Sequence, residues 1–428
     1  MPNVPFADQA YGAYQQARAT NDLDEKLMKV GPGTPGGEYL RRFWQPVAFT
    51  NQLDKGLPLR LRILGEDLVL FRDGSRRLGL LPLHCSHRGS SLEFGIIRER
   101  GIQCCYHGWL YDVDGRILDT PGEPKSSPLR CRTHWHGAYP IQEYKGLVFA
   151  YFGPPDRKPP FPLFDMFEAK NFDHEPWGGL VRDCHWLQVT ENVVDPVHTA
   201  FLHTIISGSQ FTDSFGVIPA LRFEETPLGV AYVASRRVND NLWVRCAEVM
   251  LPNIYQLPPV WETGEQPKSD QLPIQTVWEV PIDDTHTINL GFNHYDPGDP
   301  ITREEFHDQV GFGQMADRPY EERQRVPGDW DAQVTIGPAG RHARERLGWA
   351  DQGVLMLRRR LRQAIQDVEE GRDPIPDAYR GNAAIRTHSR DWVRDSPATG
   401  NEDQDRKVSE ELTEQFVTEI IPPLPGTT

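Results

Sequence analysis

Two short segments of the chain carry cysteine and histidine side chains at spacings that suit metal binding. Cys85 and His87 form one pair, and Cys104 and His107 form a second pair after sixteen intervening residues. Thiolates and imidazoles together suit Zn²⁺ or an iron–sulfur centre. We therefore expect both pairs to lie at the tips of two neighbouring loops and to share one metal site.

The order of these ligands favours iron over zinc. A zinc finger presents two cysteines and then two histidines, whereas each segment here presents a cysteine followed by a histidine. In a [2Fe–2S] centre of the Rieske type, two histidines replace two cysteines on one iron. We predict that Cys85 and Cys104 bind one iron and that His87 and His107 bind the other. A structural zinc site, or core cysteines without metal, are the alternatives.

The register of the ligands needs a decision because Cys105 adjoins Cys104 and His84 adjoins Cys85. Neither Cys105 nor His84 fits the paired spacing, so we assign both to packing around the cluster. The glycines at 89 and 108 would let backbone N–H groups approach the sulfurs.

A second candidate site is formed by His198 and His203, which lie in a helical segment over residues 186–207. Five residues turn about 140° beyond one full turn of an α-helix, so the helix must be irregular, or end nearby, for both rings to face one ion. Two histidines and a carboxylate are the ligands of non-haem Fe(II) oxygenases. Two histidines on a solvated helix face are the alternative.

The predicted elements around these sites indicate an α+β protein. Over residues 45–151, short β-prone runs alternate with turns at a spacing of about ten residues, which is typical of a small antiparallel β domain. A proline-rich break follows at 153–162. Strand-like runs over 222–295, and apolar residues at 354, 357, 361, 365 and 368, then predict an antiparallel sheet that grips a long helix.

We accordingly divide the chain into a partly helical N-terminal segment (1–40) packed on the catalytic domain, a β domain (41–155) and a helix-grip catalytic domain (156–428). Within the first segment, the helix is predicted between Tyr11 and Met28. Residues 296–331 and those after 382 are predicted to be surface connections.

Composition excludes several classes of protein. The 428 residues carry 61 acidic and 46 basic side chains, a net charge of −15, which disfavours binding to nucleic acid or to anionic membranes. The longest apolar runs fall far short of the roughly 18 residues that span a bilayer. Six cysteines are too few for a disulfide scaffold, and the first residues lack a signal-peptide pattern. These features predict a cytoplasmic protein.

The runs from Cys85 to Ser91 and from Gly101 to Gly115 resemble the Rieske domain of ring-hydroxylating non-haem iron oxygenases. The resemblance extends from Val30 to the helix after Asp351 and is nearest to the phthalate-dioxygenase-like branch, which includes aromatic O-demethylases. It implies one [2Fe–2S] cluster and one mononuclear Fe(II) per chain, in an oxygenase subunit that forms a homotrimer. No G-x-G-x-x-G follows a predicted strand, so NAD(P)H would act only through a separate reductase or ferredoxin.

The same resemblance implies roles for further residues. Asp351, at the start of the long helix, is the predicted third iron ligand; a plain helix cap is its alternative role, and Glu345 is the nearest competitor. Asp195 is predicted to bridge a cluster histidine of one subunit to an iron histidine of the next, and such carboxylates also orient imidazoles. Asn192 matches a family position near the iron.

The predicted reaction is dihydroxylation of an aromatic compound, and the predicted substrate class is the aromatic carboxylates. Oxidative O-demethylation of a methoxylated aromatic acid by the same iron is the alternative, and a Rieske electron carrier without catalysis is the reading from a different class. An arginine would suit a substrate carboxylate. Arg245 is the main candidate, with Arg236 and Arg237 as others. The arginines at 88, 98 and 100 could form a basic docking patch for the electron donor.

Overall fold

The N-terminal part of the fold consists of two short helices that pack on the C-terminal half. The computed structural model describes residues 10, 11, 13, 24–130, 134–337, 342 and 345–422. Helix α1 spans Glu25–Met28 and helix α2 spans Pro35–Leu40; most of the helix predicted from residue 11 onward lies outside the described residues. The side chain of Thr34 caps α2 by accepting a hydrogen bond from the Gly37 N–H.

The next hundred residues form three small antiparallel sheets, in the orders β2-β3-β4, β5-β6-β7-β8 and β1-β10-β9. Their strands are β1 (Trp44–Phe49), β2 (Leu59–Ile63), β3 (Glu66–Arg72), β4 (Leu78–Pro82), β5 (Ile96–Ile97), β6 (Ile102–Gln103), β7 (Leu110–Tyr111), β8 (Ile117–Asp119), β9 (Ile141–Tyr144) and β10 (Leu147–Tyr151). A separate core forms among them from aliphatic and aromatic side chains such as Val69, Phe71 and Ile102, and it includes Cys85 and Cys104.

The C-terminal half is built on one nine-stranded antiparallel sheet. Its main order is β11-β18-β17-β15-β14-β13-β12, and β19 pairs with both β14 and β16. The strands are β11 (Asp173–Arg182), β12 (Ala220–Glu225), β13 (Gly229–Val238), β14 (Asn241–Met250), β15 (Ile254–Leu257), β16 (Lys268–Gln271), β17 (Gln275–Pro281), β18 (Thr287–Tyr295) and β19 (Arg390–Asp395). The helices are α3 (Trp186–Val193), α4 (Val197–Ala200), α5 (Arg303–Gly311), α6 (Tyr320–Arg325), α7 (Asp329–Val334), α8 (Gln352–Glu369) and α9 (Glu402–Ile420).

Helix α8 is the long helix that the sheet grips, as the sequence predicted. Val354, Leu357, Leu361 and Ile365 are buried in the main core, because these positions recur with the helical period and share one face. The N-terminal segment packs against the same helix, where Lys26 lies 2.8 Å from Glu369.

Two segments that were predicted to be surface connections contain regular structure. Residues 296–331 include α5, α6 and the start of α7, and the chain after 382 forms β19 and α9. Their helices are short or strongly polar, so their apolar periodicity is weak, and tertiary contacts stabilise them. None of the helices in the described parts of the chain is long and apolar enough to cross a membrane.

Candidate metal centres and the cavity beside them

The four predicted cluster ligands converge at two loop tips of the β domain. The thiols of Cys85 and Cys104 are buried, and the rings of His87 and His107 lie with their centroids 4.6 Å apart. Each cysteine begins a tight turn whose glycine, at 89 or 108, has a positive φ and donates its N–H to the cysteine carbonyl. The same tight turn therefore carries both members of each Cys–His pair.

The surroundings of the four ligands agree with the chosen register. Cys105 is exposed, and the exposed His84 ring nitrogen lies 3.1 Å from the Gly89 carbonyl, so both point away from the buried thiols. The Tyr111 hydroxyl lies 2.9 Å from the Cys85 sulfur, and Trp109 stacks on His87 at 4.8 Å. Burial raises the pKa of the Cys85 thiol, while the Tyr111 hydroxyl opposes the rise. We did not single out Tyr111 or Trp109 from the sequence, although both lie in the motif.

The second pair of histidines is brought together by a change of helix type. His198 lies in α4, and the chain continues as a π-helix over Phe201–Ile206 that contains His203. A π-helix has more residues per turn than an α-helix, and such segments are frequent at functional sites. The two rings consequently lie 5.2 Å apart, centroid to centroid, despite the spacing of five residues. The irregular helix that the spacing required is present.

The carboxylate that completes this group is Asp329, the first residue of α7. Ligand atoms of His198, His203 and Asp329 all lie within 4.8 Å of one another, and Asp329 Oδ1 is 3.5 Å from His203 Nε2. Asp329 Oδ1 is buried and has no hydrogen-bond partner among the described residues. Two imidazoles and an unpartnered carboxylate oxygen are the donor set of a non-haem Fe(II) centre, so these residues fit that metal.

The predicted third ligand, Asp351, lies outside this group of three side chains. Asp351 lies immediately before α8, is partly exposed, and accepts a hydrogen bond of 2.6 Å from the Gly348 N–H. Its carboxylate therefore closes the short turn over Trp349–Asp351 and makes no capping hydrogen bond to α8, the alternative role weighed from the sequence. Glu345 is held by Arg358 at 3.1 Å. Asp329 was not singled out from the sequence because it lies in a segment with no strong helical period.

Hydrogen bonds and charges prepare the three side chains for a metal. His198 Nδ1 donates to the Asp195 carbonyl, and His203 Nδ1 lies 2.7 Å from Gln210 Oε1, which leaves both Nε2 atoms available. Burial lowers the pKa of His198. Burial opposes a proton on His203, but the Asp329 carboxylate raises its pKa overall. Burial alone would raise the pKa of Asp329, but the two imidazoles hold it well below its usual range, so the carboxylate is ionised.

A cavity of about 120 Å³ opens beside the three residues. His198, His203 and Asp329 form one part of its wall together with Asn192 and Asp195. The remaining wall is largely apolar and includes the aromatic side chains of Trp177, Phe211, Phe215, Tyr232 and Tyr255. The carboxylate of Asp195 accepts a hydrogen bond of 3.1 Å from the Val197 N–H. The predicted residues Asn192 and Asp195 thus lie beside the metal-binding group.

The arginine predicted to bind a substrate carboxylate has other partners. Arg245 borders the cavity, but its Nη1 lies 3.0 Å from Asp391 Oδ2 and its Nη2 donates to the Pro258 carbonyl. These contacts account for Arg245 as one half of a buried ion pair in the sheet. Arg236 donates to the Val217 carbonyl and Arg237 to Ser396, and neither borders the cavity.

Three side chains at the cavity were missed by sequence reasoning: Asp329, Arg182 and Gln314. Arg182 ends β11 and is buried; it donates from Nη2 to Gln314 Oε1. Gln314 in turn donates from Nε2 to Asp329 Oδ2 over 2.6 Å. These residues form no recognisable motif in the sequence, because three separate segments of the chain supply them.

Comparison with known proteins shows what the chain is similar to. Residues 43–144 match the family described as the Rieske [2Fe-2S] domain. The chain is 43% identical over 396 residues to the oxygenase subunit of a tert-butanol monooxygenase / tert-amyl alcohol desaturase from Aquincola tertiaricarbonis, which covers 87% of this chain and 82% of the relative. It is 37% identical over 416 residues to the phenoxybenzoate dioxygenase subunit alpha of Ectopseudomonas oleovorans, covering 92% and 98% of the two chains. The solved structure of the NdmA QL mutant of Pseudomonas putida CBB5 with caffeine shares the fold at a TM-score of 0.61 and 20% identity, over 79% of this chain and 94% of that chain.

Proposed function

Because the chain belongs to the Rieske non-haem iron oxygenases as a terminal oxygenase subunit, we propose that it oxygenates a small organic substrate in the cavity beside His198, His203 and Asp329. The observation that carries the proposal is that ligand atoms of these three side chains lie within 4.8 Å of one another at the wall of that cavity. When bound, the [2Fe–2S] cluster supplies single electrons and the Fe(II) supplies O₂ activation.

The residues of the chain divide the remaining tasks. Asp195 and Gln210 fix the ring orientation of the two histidines through their Nδ1 atoms, so that Nε2 of each ring faces the third ligand. Gln314 holds the Asp329 carboxylate through one oxygen and leaves the other free. The aromatic wall excludes water and gives the substrate a largely apolar surface.

The size and lining of the cavity indicate the class of substrate. A cavity of about 120 Å³ is close in size to an engineered apolar cavity of about 150 Å³ that accepts benzene. Aromatic walls favour aromatic ligands through edge and offset contacts. We therefore propose hydroxylation of a compound with a single aromatic ring. A two-ring compound, such as the one named for the phenoxybenzoate enzyme, would require side chains to move.

A branched aliphatic alcohol is the second candidate substrate. The relative that is 43% identical to this chain over 396 residues is named for tert-butanol, and a branched alcohol of that size also fits the observed cavity volume. Both substrates use the same metal ligands, so the choice between them depends on the cavity wall. Oxidative O-demethylation of a methoxyarene is a third outcome of the same chemistry.

As an oxygenase subunit, the chain receives electrons from a separate donor protein. We propose that it works as a homotrimer in which the Asp195 carboxylate of one subunit meets a cluster histidine of the next. Exposed apolar side chains border both metal sites, which supports this arrangement: Tyr106 adjoins His107, and Phe201, Ile205 and Ile206 flank His203. Apolar side chains grouped around a functional site are typical of an interface.

A substrate panel with product mass spectrometry tests the proposal. The purified protein is supplied with a reductase, NADH and O₂, and is offered benzoate, 4-methoxybenzoate and tert-butanol in separate reactions. A diol gains two oxygen atoms, demethylation releases formaldehyde, and alcohol hydroxylation adds one oxygen. Asp329→Ala serves as the inactive control. Product formation that persists in Asp329→Ala would contradict the proposed site.

A further inference from the structure

Arg182 is buried in the cavity wall with much of its hydrogen-bonding capacity unused. Its side chain is only 2% exposed, and Nη2 donates to Gln314. Nε and Nη1 have no hydrogen-bond partner among the described residues. The nearest carboxylate oxygen, Oε1 of Glu279, is 4.0 Å from Nη1, beyond hydrogen-bond distance. A buried guanidinium with two nitrogens that lack a hydrogen bond costs free energy unless a ligand supplies the missing acceptor.

A second unpartnered donor borders the same cavity. Asn289 accepts a hydrogen bond of 3.0 Å from the Leu180 N–H, whereas its Nδ2 has no partner among the described residues. Asn289 lies on β18, which pairs with β11, the strand that Arg182 ends. Two neighbouring strands therefore supply two buried side chains with donor nitrogens (Nε and Nη1 of Arg182, Nδ2 of Asn289) that have no hydrogen-bond partner among the described residues. An otherwise apolar cavity with a few polar groups is the usual form of a ligand site.

Arg182 is also linked to the metal-binding group. Its Nη2 donates to the Gln314 amide oxygen, and the Gln314 amide nitrogen donates to Asp329 Oδ2. One side chain thus separates the guanidinium from the carboxylate ligand. A substrate held by Arg182 would have its polar end on this side of the cavity and its apolar body among the aromatic residues that line the rest.

We propose that Arg182 and Asn289 bind an acceptor oxygen of the substrate, either a carboxylate or a hydroxyl oxygen, and orient its apolar body in the cavity. This inference rests on the proposed function and adds the residues that recognise the substrate. It assigns to Arg182 the role that the sequence suggested for Arg245, whose donors are already engaged by Asp391 and backbone carbonyls.

Binding without turnover tests the inference independently of catalysis. Three probes share one ring and differ in their polar group: benzoate, benzyl alcohol and toluene. Their affinities are measured by calorimetry on the oxidised holoenzyme without an electron donor. We expect Arg182→Gln to weaken benzoate or benzyl alcohol binding about 10- to 100-fold, as for loss of a hydrogen bond to a charged group. Toluene should change by less than about threefold.

The comparison of probes separates the two kinds of oxygen. A larger loss for benzoate identifies a carboxylate substrate, and a larger loss for benzyl alcohol identifies a hydroxyl substrate. Arg237→Gln is the matched control, because this arginine lies outside the cavity, and it should leave all three affinities unchanged. Asn289→Ser should weaken the same oxygen-bearing probe as Arg182→Gln. Arg182→Lys, which keeps a positive charge near Glu279, provides a second variant if Arg182→Gln fails to fold.

Defined results would overturn the inference. These are equal losses for toluene and the oxygen-bearing probes, unchanged affinities in Arg182→Gln, or no binding of any probe to the wild-type protein. The visible spectrum of the cluster and the iron content report whether each variant is intact. Because no turnover occurs, a wrong reaction assignment would leave these binding results unaffected, and the two failures can be distinguished.

Discussion

Replacement of Asp329 by alanine tests the assignment of the catalytic metal site. The substitution removes one of three ligands and also the acceptor for the Gln314 amide at 2.6 Å. Loss of a residue that only orients a ligand typically costs about 10- to 100-fold in metal affinity, and loss of the ligand itself should cost more. We expect the iron content to fall toward the two atoms of the cluster and turnover to stop.

Asp351→Ala is the matched control, because Asp351 is the carboxylate that the sequence suggested for the same role. Its carboxylate accepts one hydrogen bond, from the Gly348 N–H, and loss of one such bond costs about 1 kcal/mol of stability. Asp329→Ala loses a hydrogen bond to a charged group, worth about 1.5–3 kcal/mol. Both variants should therefore fold and keep the cluster absorption, but only Asp329→Ala should lose the mononuclear iron.

The assay combines elemental analysis of iron, visible spectra and thermal unfolding for the wild type and the two variants. Anaerobic addition of Fe(II) to metal-depleted protein then measures the affinity of the mononuclear site in each. Full iron occupancy and activity in Asp329→Ala, together with iron loss in Asp351→Ala, would refute the assignment. The ligand would then be Asp351, and the contact between Asp329 and His203 would be only an internal ion pair.

Four further outcomes are expected. Cys104→Ser should abolish the visible absorption of the cluster and Cys105→Ser should not; bleaching only in Cys105→Ser would place the ligand register one residue later. Asp195→Asn should keep reduction of the cluster fast but slow its reoxidation with substrate and O₂ by about 10- to 100-fold in stopped-flow absorbance; wild-type reoxidation would leave Asp195 without a bridging role. Burial raises the pKa of Glu279 to about 7, above its ordinary value of 4.5. Between these two pH values the folded state keeps a proton that the unfolded state loses. The free energy of unfolding therefore falls as pH rises from about 4.5 to 7. Glu279→Gln should remove this loss of stability, which is about 3 kcal/mol. Thermal unfolding of both proteins is measured at several pH values across that range, and the same pH dependence in both would contradict the prediction. Sedimentation should give a trimer, whereas an active monomer of 48.8 kDa would exclude one.

The parts of the protein that could be predicted from sequence are those in which short-range spacing controls geometry. The pair Cys104 and His107 lies on one turn, so one cysteine, one histidine and one glycine at the right spacing are enough to indicate a ligand pair. The apolar stripe from Val354 to Ile365 likewise depends only on the helical period, and it correctly predicted the helix that the sheet grips.

The spacing of His198 and His203 was informative in another way. An α-helix could not turn both rings toward one ion, so the spacing required an irregular helix. The π-helix over Phe201–Ile206 meets that requirement. Helix type itself was not predictable, because the π-helical segment is stabilised by surrounding contacts and has no simple periodic signature.

The sequence by itself determined the α+β architecture and predicted the cluster ligands and the histidine pair, since each depends on residues that are neighbours along the chain. Only the tertiary structure decided that Asp329 rather than Asp351 meets the histidines, and that Arg182 rather than Arg245 has free donors at the cavity. Strand β11, the segment after α5 and helix α7 supply Arg182, Gln314 and Asp329, and their side chains meet only once the sheet and helices have packed. An Asp or an Arg looks the same in the sequence whether its side chain caps a helix, pairs within a sheet or faces a cavity. Its chemistry depends on its burial and its partners, and the fold sets both.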